Sequence, residues 1–189
     1  MHSAKLNPSH HLPPPSGRLR LELREPGGPT LLRRAASNTV LRSGAQLLAD
    51  LFTGAASAAL DGVALGVGEE PNTPPYERAG LRTTTPGGVA LIEAAVTSLD
   101  PEEFEVEALP EEYRIRVSLR TLIPPGVGVS PDPEVESVRV SEAALGVLAE
   151  DKLSLARVYN RVIFEPFDKG RKHEIALYWE ISFPYGPSA

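Results

Sequence analysis

A chain of 189 residues, 41% of them hydrophobic, is long enough to bury one generous core. Its net charge of −6 gives no global attraction to nucleic acid or to an anionic bilayer. It contains no cysteine, which excludes disulfide scaffolds, thiolate zinc sites and cysteine nucleophiles.

The 19 prolines and 16 glycines favour turns and short elements over long helices. No apolar run approaches the roughly 20 residues that cross a bilayer, so direct membrane insertion is not expected. Residues Met1 to Gly17 read as an extended Pro/His-rich arm, because Pro13, Pro14 and Pro15 favour polyproline II over a sheet interior. His2, His10 and His11 have no acidic or thiol neighbours there to complete a metal site. The polar start lacks the apolar middle of a signal peptide, which points to assembly in the cytoplasm. A single β-rich domain is expected over residues 18–185, with 186–189 as a tail.

Arg18 to Arg24 alternates strictly, placing Leu19, Leu21 and Leu23 on one face of a strand that Pro26-Gly27-Gly28-Pro29 stops. Thr30 to Ala36 is expected to return beside it. The one convincing helix runs over residues 38–54, with Ser37 or Asn38 as N-cap and Gly54 as left-handed C-cap. Its apolar stripe is Val40, Leu41, Gly44, Leu47, Leu48, Leu51 and Phe52, while Arg42, Gln46 and Asp50 face away.

Asp61 to Gly68 is a short strand whose Gly66-x-Gly68 pair suggests a phosphate loop. The acidic Glu69-Glu70-Pro71 that follows argues against one. Glu69 to Leu81, with Pro74, Pro75 and Tyr76, is a loop long enough to be an interaction surface. Val89 to Thr97 reads as a strand and Asp100 to Glu107 as an acidic connection. Tyr113 to Thr121 sets Tyr113, Ile115, Val117 and Leu119 on one face, with Arg114, Arg116 and Arg120 as a ladder on the other. That ladder is the candidate face for an anionic partner, although the overall acidity of the chain makes pairing with a neighbouring acidic strand or subunit the preferred explanation.

A second proline loop, with Pro124, Pro125 and Pro131, precedes a strand from Glu136 to Gly146. Leu153 to Phe164 and His173 to Phe183 then form a terminal β-hairpin across Glu165 to Lys172. Phe164, Leu177, Trp179, Ile181 and Phe183 face the core. Arg33-Arg34 and the charges of Lys169 to Lys172 read as solvated turn charge. The expected architecture is therefore mainly β (α+β): an antiparallel sandwich of about six to eight strands with one helix against it.

No active site emerges, and no cofactor is expected. His173 stands alone outside the arm, and Glu93, Glu142, Glu165, Glu174 and Glu180 read as solvent-face residues of amphipathic strands.

The order of segments resembles a known family. It runs from Asn38-Thr-Val-Leu-Arg-Ser-Gly44 and Leu65-Gly-Val-Gly68 to Ser141-Glu-Ala-Ala-Leu145. Ala156-Arg157, Arg161-Val-Ile-Phe164, Pro166 and Lys169 follow, before Tyr178-Trp-Glu-Ile-Ser-Phe183. It is similar to small virion structural proteins of tailed bacteriophages, of the baseplate and tail-fibre-attachment type, and to counterparts in phage-derived contractile injection systems. In that group an Ala-Arg-x-x-Phe strand end is followed by a Lys and a Trp-Glu-Ile-x-Phe-like strand; here the first spacing is longer. The resemblance implies a non-enzymatic particle subunit that contacts other subunits, as a homo- or hetero-oligomer. Its candidate assembly contacts would be Pro13, Pro14, Pro15, Pro74, Pro75, Pro124, Pro125 and Pro131, together with Tyr76. A carbohydrate- or ligand-binding β-sandwich is the alternative reading.

Overall fold

The computed structural model describes residues 15–55, 59–68, 81 and 95–186. Several expectations lie outside the described residues: Pro13, Pro14, the histidines of the arm, Glu93, Pro74, Pro75, Tyr76 and most of the strand placed over Val89 to Thr97.

The chain is mainly β, and its described residues form two antiparallel sheets of five strands and one α-helix. Sheet A has the order β2 (Thr30–Ser37), β1 (Ser16–Arg24), β10 (Glu174–Pro184), β7 (Arg114–Ile123), β6 (Phe104–Leu109). Sheet B has the order β3 (Thr39–Val40), β9 (Leu155–Gly170), β8 (Ser137–Leu148), β4 (Gly62–Gly66), β5 (Val96–Ser98). Ten strands among the described residues thus stand where the sequence suggested six to eight. The acidic stretch after Asp100 is largely strand β6 rather than a connection: a capping-box turn over Pro101–Glu103 leads directly into it.

The period-two alternation puts Leu19, Leu21, Leu119, Leu177 and Trp179 of sheet A against Val140, Leu145, Val162 and Phe164 of sheet B in one core. Each such side chain contributes on the order of 1.5–3 kcal/mol by leaving water. Phe183 packs at the rim of that core, half-buried.

The terminal pair of strands is not a hairpin. β9 runs on to Gly170 in sheet B, and β10 opens sheet A between β1 and β7. Only Arg171 to His173 connect them, closed by the His173 amide donating to the Gly170 carbonyl at 3.1 Å. The turn-like Glu165-Pro166 lies inside β9. Register against β8 jumps from Ile163–Glu142 to Phe167–Val140, so Pro166 sits in a bulge where no ladder amide is needed.

The helix is also shorter than expected. Thr39 and Val40 pair with Arg161 and Asn160 of β9, so α1 begins at Arg42 (Arg42–Thr53). Leu41 occupies the N-cap position with no side-chain cap bond, and Asn38 is half-buried with its side-chain amide enclosed and unpartnered. Gly54 closes the helix in the left-handed conformation expected of it. Gly44 belongs to the buried face because α1 crosses the β9 backbone there, and a Cβ at this position would meet the Tyr159 carbonyl. The stripe ends earlier than its periodicity implied, since Leu51 is 43% and Phe52 92% exposed.

Candidate functional site: the outer face of sheet A

Side chains of β1, β10 and β7 that do not enter the core point to the outer face of sheet A. The register defines its rows. Arg20 is opposite Tyr178, which is opposite Arg120; Arg18 is opposite Glu180, which is opposite Ser118. Strands about 4.8 Å apart set Arg20 and Arg120 roughly 10 Å from one another across Tyr178. The Arg20 guanidinium lies over the Tyr178 ring, 4.3 Å from its centroid, a cation–π contact that aims the charge outward.

Two shallow adjoining concavities, of about 320 and 340 Å³, occupy this surface. Arg18, Arg20, Arg120 and Tyr178 line the first; Arg18, Arg114, Arg116 and Ser182 line the second. Glu180 borders both.

The arginine ladder divides into two kinds of residue. Arg116 is ion-paired with Glu107 of the edge strand β6 and lies 3.9 Å from Glu180. Glu107 holds the Arg116 guanidinium more firmly protonated than usual. That member fulfils the expected pairing with an acidic neighbour. Arg114 and Arg120, together with Arg18 and Arg20, have no carboxylate within ion-pair distance among the described residues. At the far end of the face the charges are matched: Arg24 with Glu174 at 2.7 Å, Arg33 with Glu22 at 3.0 Å. Three of the unpaired arginines, Arg18, Arg20 and Arg120, therefore cluster around Tyr178, while Arg114 lies further along β7 in the second concavity.

Other candidates separate from this face. Pro15 is exposed beside it, and Pro124, Pro125 and Pro131 are exposed on a loop beyond β7. That loop is tethered, because Arg171 donates to the carbonyls of Ser130 (2.8 Å) and Asp132 (2.5 Å), and Gly126 donates to the Arg171 carbonyl. The basic cluster near the terminal turn is not simply solvated charge: Lys172 pairs with Glu25 at 2.6 Å, and Lys169 is fully buried.

Two of the glutamates are not solvent-face residues. Glu174 is buried, and Glu142 is 0% exposed with its carboxylate 2.5 Å from the Arg161 Nε. Gly66 and Gly68 pack against that carboxylate, where any Cβ would collide with it. The glycine pair thus serves a buried ion pair rather than a phosphate. Among the described residues no three His, Cys, Asp or Glu side chains converge as a metal ligand set.

The sequence pointed to three of the arginines but missed Arg18, Arg20 and Tyr178. Their signal was present in the alternation of residues 18–24 and 174–183. Joining them required knowing that β10 lies between β1 and β7.

The geometry defines a two-sheet β-protein with a basic, aromatic-centred outer face. No protein-family model, curated protein or solved structure matches the chain.

Proposed function

We propose that this chain is a non-enzymatic structural subunit of a phage tail or of a contractile injection particle. It docks on an acidic surface of a partner subunit through the outer face of sheet A. The observation that carries this reading is the cluster of Arg18, Arg20 and Arg120 around Tyr178, with Arg114 in the adjoining concavity, none of them ion-paired among the described residues, in a chain of net charge −6. Unmatched guanidinium groups on a rigid sheet are preorganised for carboxylates, which they grip with paired N–H donors. The ordered segments resembling baseplate and fibre-attachment proteins support the particle setting, as do the exposed prolines at 124, 125 and 131.

A ligand-binding module is the second reading, favoured by Tyr178 and its hydroxyl-bearing neighbour Ser118, with Ser182 in the adjoining concavity, a combination suited to an anionic glycan.

The test is binding of a Glu-rich peptide and of a sulfated glycan to the wild type and to the double variant Arg20→Glu/Arg120→Glu. Docking through this face predicts a salt-sensitive peptide affinity that falls at least ~10-fold in the variant, with peptide favoured over glycan. Equal peptide affinity in both proteins would sink it, and a preference for glycan would transfer the face to the second reading. Mass spectrometry of purified particles from the producing cell then asks whether the chain is a component.

A further inference from the structure

The surplus negative charge of the chain is local. Residues 100–112 hold seven of its 25 acidic side chains and no basic one, which leaves 18 acidic against 19 basic elsewhere. This acidic rim is the edge strand β6 with the turns at either end of it, and it borders sheet A beside β7. It neutralises one arginine of its own chain, since Glu107 pairs with Arg116. Glu102, Glu105, Glu111 and Glu112 are exposed and have no ion-pair partner among the described residues.

Register arranges the charges of the outer face in columns. Arg18 of β1 is opposite Glu180 of β10, which is opposite Ser118 of β7, which is opposite Glu105 of β6. One row along, Arg20, Tyr178 and Arg120 lead to the turn Pro101–Glu103, which precedes β6 and carries Glu102. On the other side the row is Ser16, Ser182, Arg116 and Glu107. From β1 to β6 the columns therefore alternate: basic (Arg18, Arg20), acidic (Glu180), basic (Arg116, Arg120), acidic (Glu105, Glu107). Neighbouring strands are about 4.8 Å apart, so β1 lies roughly 14 Å from β6. Arg18 and Glu105 of one chain form no ion pair across that span.

We propose that a second copy of the chain covers this face, the two outer faces of sheet A packing together about a two-fold axis that runs along the strands between β10 and β7. The proposal rests on the docking reading above and names its partner. An axis in that place lays β6 of each copy over β1 of the other, and β7 over β10. Every column then meets the opposite charge: Arg18 faces Glu105 of the other copy, Arg20 faces the turn that carries Glu102, and β7 with Arg116 and Arg120 faces β10 with Glu180. An axis along β10 itself would set β1 over β7, basic on basic, so the charge pattern selects the first. Opposed sheets pack about 10 Å apart, a gap that an arginine and a glutamate reaching from opposite sides close. Four strands about 4.8 Å apart and some nine residues long present on the order of 500 Å² per copy. An interface of standard size buries about 800 Å² per partner, so this one suits a reversible, salt-sensitive dimer. The two-fold repeats each contact, so one substitution acts twice.

Sedimentation equilibrium of the full chain over a concentration range, at low and at high salt, tests the pairing. The wild type is expected to pass from monomer to dimer, with the dimer weakened by salt. Arg18→Glu and Glu105→Arg each set like charges opposite one another and should raise the dissociation constant at least ~10-fold. Both residues are exposed, so the circular dichroism of each variant should match the wild type. An equimolar mixture of the two variants should dimerise about as tightly as the wild type, because both cross-copy contacts again join opposite charges. Such recovery requires contact between copies, since residues 18 and 105 of one chain lie three strands apart.

A wild type that is monomeric at every concentration in low salt overturns the proposal. So does a dimer indifferent to both variants, or a mixture that stays as weak as its components. A monomer that still binds the Glu-rich peptide through Arg20 and Arg120 would remove the second copy and leave the docking reading standing. A monomer that binds no peptide would remove both.

Discussion

Lys169 shows how a single residue can oppose the fold that contains it. It lies on β9 with no exposed surface, and its ammonium donates to one described acceptor, the His173 carbonyl, at 2.8 Å. Burial lowers its pKa from the ordinary 10.5 to about 8. The folded state therefore disfavours the charged form, and below pH 8 both states are protonated while the folded one bears the desolvation cost. Between pH 8 and 10.5 the unfolded chain binds more protons than the folded one, so stability rises with pH across that window. A shift of this size corresponds to a penalty on the order of 3 kcal/mol at neutral pH. Lys169→Met should raise unfolding free energy at pH 7 by roughly 1–3 kcal/mol, the loss of one hydrogen bond offsetting part of the gain. It should also flatten the rise between pH 8 and 10.5. Urea unfolding of both proteins at pH 7, 9 and 10 checks this; an equal or steeper slope in the variant would refute it. From the sequence alone Lys169 looked like turn charge, because Asp168-Lys169-Gly170 is strong turn chemistry. The strand continues through it because Val138 and Ser137 of β8 supply ladder partners that no local signal encodes.

At the scale of elements, the periodic segments were legible and their ends were not. Leu19, Leu21 and Leu23 alternate, and β1 is where the alternation puts it. Trp179 and Leu177 fix the inner face of β10 for the same reason. The helix start was misplaced because Ser37-Asn38 carries good cap chemistry, while Thr39 and Val40 gain ladder bonds to β9. Long-range pairing won over a local cap worth about 1 kcal/mol. Two substitutions separate these accounts. If Asn38 capped the helix, Asn38→Ala would cost about that 1 kcal/mol. With its buried amide unpartnered, the change is expected to be neutral or stabilising. Gly44→Ala should do the reverse of what helix propensity implies. Alanine is favoured by about 1 kcal/mol in an exposed helix. Here its methyl would strike the backbone carbonyl of Tyr159, which cannot swing aside as a side chain can. Overpacking of about 1–3 kcal/mol or more should prevail, giving a net loss of at least ~1 kcal/mol in urea unfolding. A stabilised Gly44→Ala would mean that α1 does not approach β9 so closely.

For the whole molecule, the order of strands decides when the fold and its basic face come into being. β1 begins at Ser16 and pairs along its length with β10, which ends at Pro184. β10 also bridges to β7, so sheet A without it is two separate pairs, β2–β1 and β7–β6. The sequence supplied the arginines of β7 but not this closure, which is why only half of the candidate face was visible in it. Closing a loop of this length costs conformational entropy before any contact repays it, and such non-local β topologies fold in milliseconds to seconds rather than microseconds. Two outcomes are expected. Refolding of the full chain from urea, followed by Trp179 fluorescence, should have its main phase in that slow range. A chain ending at Gly170 should lack a cooperative thermal transition by far-UV circular dichroism, although it retains every strand of sheet B and four of sheet A. The shortened chain forfeits the central strand of one sheet, along with the Trp179, Leu177, Ile175 and Ile181 side chains that the other sheet packs against. A cooperative transition in it would show that sheet B folds on a core of its own, and that β10 is an addition to a finished structure rather than its closing element.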